Sequence, residues 1–171
     1  SSWTGFGSSG FQWMTINYIT SNNASGIGQN SITISITQSG GGLATENGLY
    51  SASTFPQEYG VPVTGNQIQN NSRGTFSAVF SQPVFNPLIA FASVGNGSLS
   101  VPVIVSAPFT PIWSQSTTYQ NPVGTQSYTQ FTGTEGFNII RIDGTASSVS
   151  FNYTVSESYS TICFGFVNQN V

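Results

Sequence analysis

The sequence predicts an all-β fold, namely an antiparallel β-sandwich of the jelly-roll or Greek-key type. Short segments in which every second residue is apolar recur along the chain, and residues 31–38 (SITISITQ) place three isoleucines on one face. Turn-forming Gly, Asn and Pro residues separate these segments. No segment keeps a helical periodicity, and 171 residues are enough for one domain with a buried core.

The densest apolar block lies at residues 75–97, TFSAVFSQPVFNPLIAFASVGNG. It predicts two strands, bent at Pro83 and Pro87 and closed by an Asn-Gly turn, in the centre of the sandwich. Residues 162–167 (ICFGFV) are apolar on both faces, which predicts a central strand near the end of the chain. The other strands expected are residues 11–20, 31–38, 98–107, 137–143 and 147–156.

Other segments lack so clear a strand pattern. Residues 43–71 contain Asn-Gly and Pro turn signals and predict a long loop, the place best suited to binding. Residues 108–130 contain Trp113 and two Tyr in a setting rich in Ser, Thr and Gln, and Trp113, which follows two Pro, is expected to enter a polar loop. Residues 1–171 are expected to form a single domain. Within it, residues 1–20 predict either an N-terminal arm that adds a strand to a neighbouring subunit or an edge strand of the chain's own sheet.

Charge is almost absent, at 4% of residues against about 25% in an average globular domain. There is no Lys and no His, and Arg73 and Arg141 are the only basic residues. Two arginines cannot neutralise a nucleic-acid backbone or hold the chain on an anionic membrane, so neither partner is expected. Membrane insertion is not expected either, because no stretch approaches the roughly 20 apolar residues of a span. With so few titrating groups, folding stability should be nearly independent of pH.

The same composition removes most catalytic chemistry, so we expect no enzyme and no cofactor. Ser-His-Asp, Cys-His and Ser-Lys arrangements need a base that the chain lacks, and zinc needs His or several Cys. One route remains, a glycosidase carboxylate pair formed by Glu135 and Asp143, which flank one predicted strand. The alternatives are an ion pair between Arg141 and either acid, and a calcium site at the same acids.

Two sites of covalent chemistry are conceivable from the sequence. Cys163, the only cysteine, predicts a buried thiol, with an intermolecular disulfide or an internal thioester as the alternative. N-glycosylation sequons occur at Asn23, Asn70, Asn96 and Asn152. A chain rich in Asn and Ser also produces this three-residue pattern by chance, and Asn152 falls in the middle of a predicted strand.

Aromatic residues provide the one ligand-binding hypothesis. Trp113, Tyr119 and Tyr128 lie among Gln, Ser and Thr, and aromatic rings beside amide side chains suit carbohydrate recognition. Trp3 and Trp13 are further candidates. The alternative is that these rings pack in the core or at an interface.

Three pieces of the chain resemble a known family. They are GTFSAVFSQPVFNPLIAFASVG, VPVIVSAPFTPIWS and GTEGFNIIRIDGTASSVSFNYTVSESYSTICFGFV, which together span residues 74–167. In this order they resemble a β-sandwich module of secreted bacterial surface proteins of the PEP-CTERM or choice-of-anchor type. The resemblance implies an extracellular β-sandwich and brings no catalytic residues. Residues 1–71 match this pattern only loosely, and no anchor helix or basic tail of that family is expected within residues 1–171, so the resemblance does not imply a mode of attachment.

These observations lead to one functional expectation and one alternative. We expect a non-catalytic extracellular structural or adhesive protein of the cell surface, which assembles with copies of itself into a filament, layer or coat and carries glycans at its sequons. The alternative is a carbohydrate-binding module that uses Trp113 and Tyr119. Copies of the chain, and glycans, are therefore the partners expected.

Overall fold

The computed structural model describes residues 10–46, 54–62, 66–157 and 159–167. Strands dominate this part of the chain, and its helical residues form short 3-10 turns, such as those at Gln29–Ser31 and Gln57–Tyr59. The prediction of an all-β fold is confirmed. The strands are β1 (Gln12–Trp13), β2 (Thr15–Thr20), β3 (Asn23–Ile27), β4 (Thr33–Gln38), β5 (Leu43–Thr45), β6 (Ile68–Asn70), β7 (Gly74–Phe85), β8 (Leu88–Val94), β9 (Val101–Pro122), β10 (Tyr128–Ile142), β11 (Thr145–Tyr153) and β12 (Thr161–Phe166).

The strands form one antiparallel sheet that nearly closes into a barrel. Its order is β2-β3-β4-β7-β11-β9-β10-β8-β12-β6-β5, with β1 beside β12. The two ends of this order meet, because the amide of Leu43 donates to the carbonyl of Ser21 at 3.0 Å. Residues 12–20 pair with β12 and β3 of the same chain. Residues 1–9 of the predicted arm lie outside the described residues.

The β9–β10 hairpin folds back on itself. Ser116 and Glu135 have φ angles of 52° and 63°, and the register between the two strands shifts between these residues. Ser127 lies at the tip of the hairpin, and Asp143 directly follows the last residue of β10. The Ser127 hydroxyl donates to the Asp143 carboxylate at 3.0 Å, so the tip lies next to the other end of the hairpin. The prediction that Trp113 enters a polar loop is wrong, because Trp113 and the residues after it, as far as Pro122, belong to strand β9.

The first half of β10 lies between two segments of β9. Phe131 is opposite Val103 on one side and Tyr119 on the other, and in both registers the numbers along β9 fall as those along β10 rise. Both segments of β9 therefore run antiparallel to this half of β10. We call residues 101–105 the first segment of β9 and residues 109–122 its second segment. The first segment also pairs with β11, and the second half of β10 pairs with β8.

Alternation along the strands builds an apolar cluster inside the sheet, the inner core. Ile32, Ile34 and Ile36, which the sequence places on one face, are all buried in it. Phe76 and Phe151 stack there with ring centroids 4.8 Å apart.

A second cluster, the outer core, lies on the opposite face of β8, β10 and β12. All seven residues of β8 are buried because one face contributes to the inner core and the other to the outer core. The outer core is covered by residues 54–62, from which Phe55 and Val61 pack against it. This part of the loop predicted for binding therefore covers an apolar face of the sheet.

Candidate functional site

The predicted aromatic residues lie on two opposite faces of the hairpin. Trp113 is opposite Ile139, and both pack in or against the outer core. The ring centroids of Trp113 and Phe55 are 5.5 Å apart. Tyr119 and Tyr128 pack against the inner core instead. The three residues therefore do not form one surface on which a sugar could stack.

The two tyrosines belong to a cluster of rings between the halves of the folded hairpin. Their centroids are 5.5 Å apart, and that of Phe109 lies 5.9 Å from Tyr119. The amide of Asn138, which is fully buried, donates to the Tyr119 hydroxyl at 3.3 Å. Burial raises the pKa of Tyr119, while hydrogen bonds from Asn138 and Ser114 oppose that rise. The two tyrosines are half-buried and Phe109 is fully buried, so these rings are packing residues that hold the hairpin folded.

The other two tryptophans offer no exposed ring among the described residues. Trp13 is fully buried, and its indole nitrogen donates to the carbonyl of Tyr59 at 2.8 Å. Trp3 lies outside the part of the chain that the structure describes. Trp113 is therefore the only one of the three with partial exposure there.

Glu135 and Asp143 do not form the predicted carboxylate pair. Asp143 forms an ion pair with Arg141 at 3.2 Å and accepts a hydrogen bond from Thr110. Glu135 lies at the corner of the hairpin and accepts a hydrogen bond from Ser93 at 3.0 Å. The two acids are eight residue steps apart, about 26 Å along a straight strand, whereas glycosidase pairs lie roughly 5 to 9.5 Å apart. The alternative interpretation, an ion pair with Arg141, is the one observed.

Glu157 is the acid that the sequence analysis missed. It is 8% exposed, and both of its carboxyl oxygens lie 3.1 Å from the amide nitrogen of Gly95, which donates to them. Burial raises the pKa of Glu157 to about 8, the hydrogen bond from Gly95 lowers it, and the charge of Glu135 adds to the rise. The carboxyl group is therefore mostly protonated at neutral pH. Nothing near it in the sequence signals this burial.

The backbone conformation of Gly95 makes this contact possible. Its φ is +77°, and a Cβ added there would lie 2.3 Å from the carbonyl oxygen of Gly133. The next turn closes with reciprocal backbone hydrogen bonds between Asn96 and Leu99, as the Asn-Gly pair predicts.

Among the described residues, no group of three or more His, Cys, Asp or Glu is placed to hold a metal ion.

The four sequons differ in accessibility. Asn23 and Asn96 are exposed. Asn152 is half-buried on β11 and accepts a hydrogen bond from Thr75 at 3.1 Å. Asn70 is fully buried, and its amide oxygen accepts a hydrogen bond from Gln38 at 2.8 Å, so a glycosyltransferase could not reach it in the folded chain.

The Cys163 thiol is buried, as the sequence predicts. It lies 3.3 Å from the carbonyl oxygen of Asn66, and burial raises its pKa. A thiol that is buried and protonated is a poor partner for an intermolecular disulfide.

The outward side of β3, β4, β7 and β11 forms a surface without charge, which we call the polar outer face. None of these four strands contains a charged residue. Adjacent strands bring polar residues into rows. One row is Asn23, Thr37, Ser77 and Ser150, and the next is Ser25, Ser35, Val79 and Ser148.

A groove of about 510 Å³ crosses the polar outer face along β3, β4 and β7. Its lining includes Ile27 and Val79, which are 53% and 51% exposed. The surface thus combines hydroxyl groups with isolated aliphatic side chains.

No known family model matches the chain, and neither a curated protein nor a solved structure is significantly similar to it. No helix in the described ranges is long and apolar enough to cross a membrane.

Proposed function

We propose that this chain is a non-catalytic extracellular structural protein that assembles with copies of itself into a surface filament, layer or coat. The observation that carries the proposal is the polar outer face, where four adjacent strands present Ser, Thr and exposed aliphatic residues without a single charge. Soluble proteins use surface charge to repel one another, and a face without it associates readily.

The scarcity of side chains that could act in catalysis also favours a structural role. The chain has no Lys or His, and the only ion pair between side chains in the described ranges joins Arg141 and Asp143. Glu157 is held by a backbone amide and is buried, so substrate has no direct access to its carboxyl group. Extracellular placement is part of the proposal, supported by the resemblance of residues 74–167 to secreted surface modules.

The folded hairpin supports a sandwich-like interpretation of the barrel. Its two halves face each other across Phe109, Tyr119 and Asn138, and each half continues into different strands of the sheet. Two facing layers joined at such a corner are the arrangement of a β-sandwich of jelly-roll type.

Negative-stain imaging of the purified chain, over a range of concentrations, tests the proposed function. Regular filaments, sheets or shells are the expected result. A glycan-array screen of the same preparation tests the carbohydrate-binding alternative. Isolated particles that bind a glycan, with binding lost in Trp113→Ala, would overturn the structural proposal.

A further inference from the structure

From Thr110 onward, the second segment of β9 has a strand on only one side. Residues 109–115 pair with the second half of β10 and residues 117–122 with its first half. The first segment, by contrast, lies between β10 and β11. Among the described residues no other strand pairs with residues 110–122, so this edge can accept a strand of another chain. Three of its carbonyls, those of Gln115, Ser116 and Asn121, accept hydrogen bonds from threonine hydroxyls of the same chain.

This open edge lacks charge, one of the usual protections against pairing, and its two prolines, Pro111 and Pro122, lie only near its ends. Natural edge strands carry Lys, Pro or bulges that prevent another strand from adding to them. Residues 112–121 (IWSQSTTYQN) contain neither a charge nor Pro, and no charged residue occurs anywhere from residue 74 to residue 134. The one interruption is the bulge at Ser116, which divides the edge into two short runs.

We propose that the second segment of β9 pairs antiparallel with the same segment of a second copy, across a two-fold axis. The inference rests on the proposed function and names a surface through which the copies associate. An edge that meets itself brings identical side chains together, so a charged edge would repel its copy whereas this uncharged one does not. Strand addition satisfies the backbone groups of both edges at once.

The register of β9 identifies side chains that report on this pairing. Gln115 and Thr118 are exposed and flank the bulge. In the two-fold pair they would approach residues of the partner edge. Lysines at both positions place like charges across the interface, which should weaken association by about tenfold.

The experiment compares the chain, the edge variant Gln115→Lys/Thr118→Lys and the control variant Gly97→Lys/Ser100→Lys. The control adds two lysines at exposed positions of the turn between β8 and β9, which belongs to neither the open edge nor the polar outer face. Circular dichroism checks that both variants fold, and light scattering after size exclusion measures their mass. We expect the concentration at which dimers form to rise about tenfold in the edge variant and to stay the same in the control.

The outcomes separate this inference from the proposed function. An edge variant that assembles like the unmodified chain overturns the inference and leaves self-assembly standing. An unmodified chain that is monomeric at every concentration overturns self-assembly itself.

Hydrogen exchange on the unmodified chain gives a second test that does not depend on a variant folding. Amides of residues 109–122 should gain protection as concentration rises, while those of residues 33–38, which are already paired on both sides, should not change. Equal exchange of residues 109–122 in the monomer and in the assembled state would contradict the inference.

Discussion

Ionisation of Glu157 should destabilise the folded chain as pH rises. In the folded state, burial raises the pKa of this carboxyl group from an ordinary value of 4.5 to about 8. Between about pH 4.5 and about pH 8, Glu157 therefore keeps its proton in the folded chain and releases it in the unfolded chain. The stability associated with this proton is fully present below about pH 4.5 and is lost as pH rises through about 8.

The magnitude follows from the size of the change in pKa. A rise from 4.5 to about 8 corresponds to about 5 kcal/mol, at roughly 1.4 kcal/mol per pKa unit. A typical domain is stable by only about 5 to 15 kcal/mol, so this single group should dominate the pH dependence. The expectation of nearly pH-independent stability was based on the small number of titrating groups, but a single buried acid, Glu157, is enough to make stability depend on pH.

Urea denaturation at several pH values measures the effect directly. The unmodified chain should lose stability steadily between about pH 5 and about pH 8.5. Glu157→Gln keeps an oxygen for the amide of Gly95 but cannot ionise, so its unfolding free energy should hardly change over that range. Glu58→Gln, the same change at an exposed acid, should behave like the unmodified chain. Parallel pH profiles for the unmodified chain and Glu157→Gln would refute the assignment.

Three further predictions concern individual contacts. Gly95→Ala should lower the unfolding free energy by about 2 kcal/mol or more, because the added Cβ meets a backbone carbonyl at 2.3 Å and φ is +77°. Gly97→Ala, where a Cβ meets nothing within 4 Å, is the control in the same denaturation assay, and equal losses would contradict the steric reason. Tyr119→Phe should lower the unfolding free energy by about 1 to 2 kcal/mol, because it leaves the buried side-chain amide of Asn138 without its acceptor. An unchanged denaturation midpoint would count against that hydrogen bond. Cys163 should react with a thiol reagent only after unfolding, and rapid labelling of the native chain would show that the thiol is accessible.

The sequence is most informative where one face of a strand is apolar and the other polar. In residues 31–38 the alternation gives both the strand and its buried face, and Ile32, Ile34 and Ile36 lie in the inner core. The Asn-Gly pair at residues 96–97 likewise gives its turn, because turn geometry is set by local backbone preference.

The hairpin shows where such reasoning fails. Residues 108–130 look like a loop because Ser, Thr and Gln occupy both faces of an edge strand and hide its period of two. The fold-back at Ser116 and Glu135, and hence the separation of Trp113 from Tyr119, depends on contacts between distant parts of the chain. The burial of Glu157 depends in the same way on a turn that lies 62 residues earlier in the chain.

The mass of the chain in solution tests the central claim, self-assembly through uncharged surfaces, most directly. Light scattering should give a mass above the 18.1 kDa of one chain, rising with protein concentration. That mass should change little with added salt, because few charges are available to be screened. A mass of 18.1 kDa at every concentration would contradict the claim.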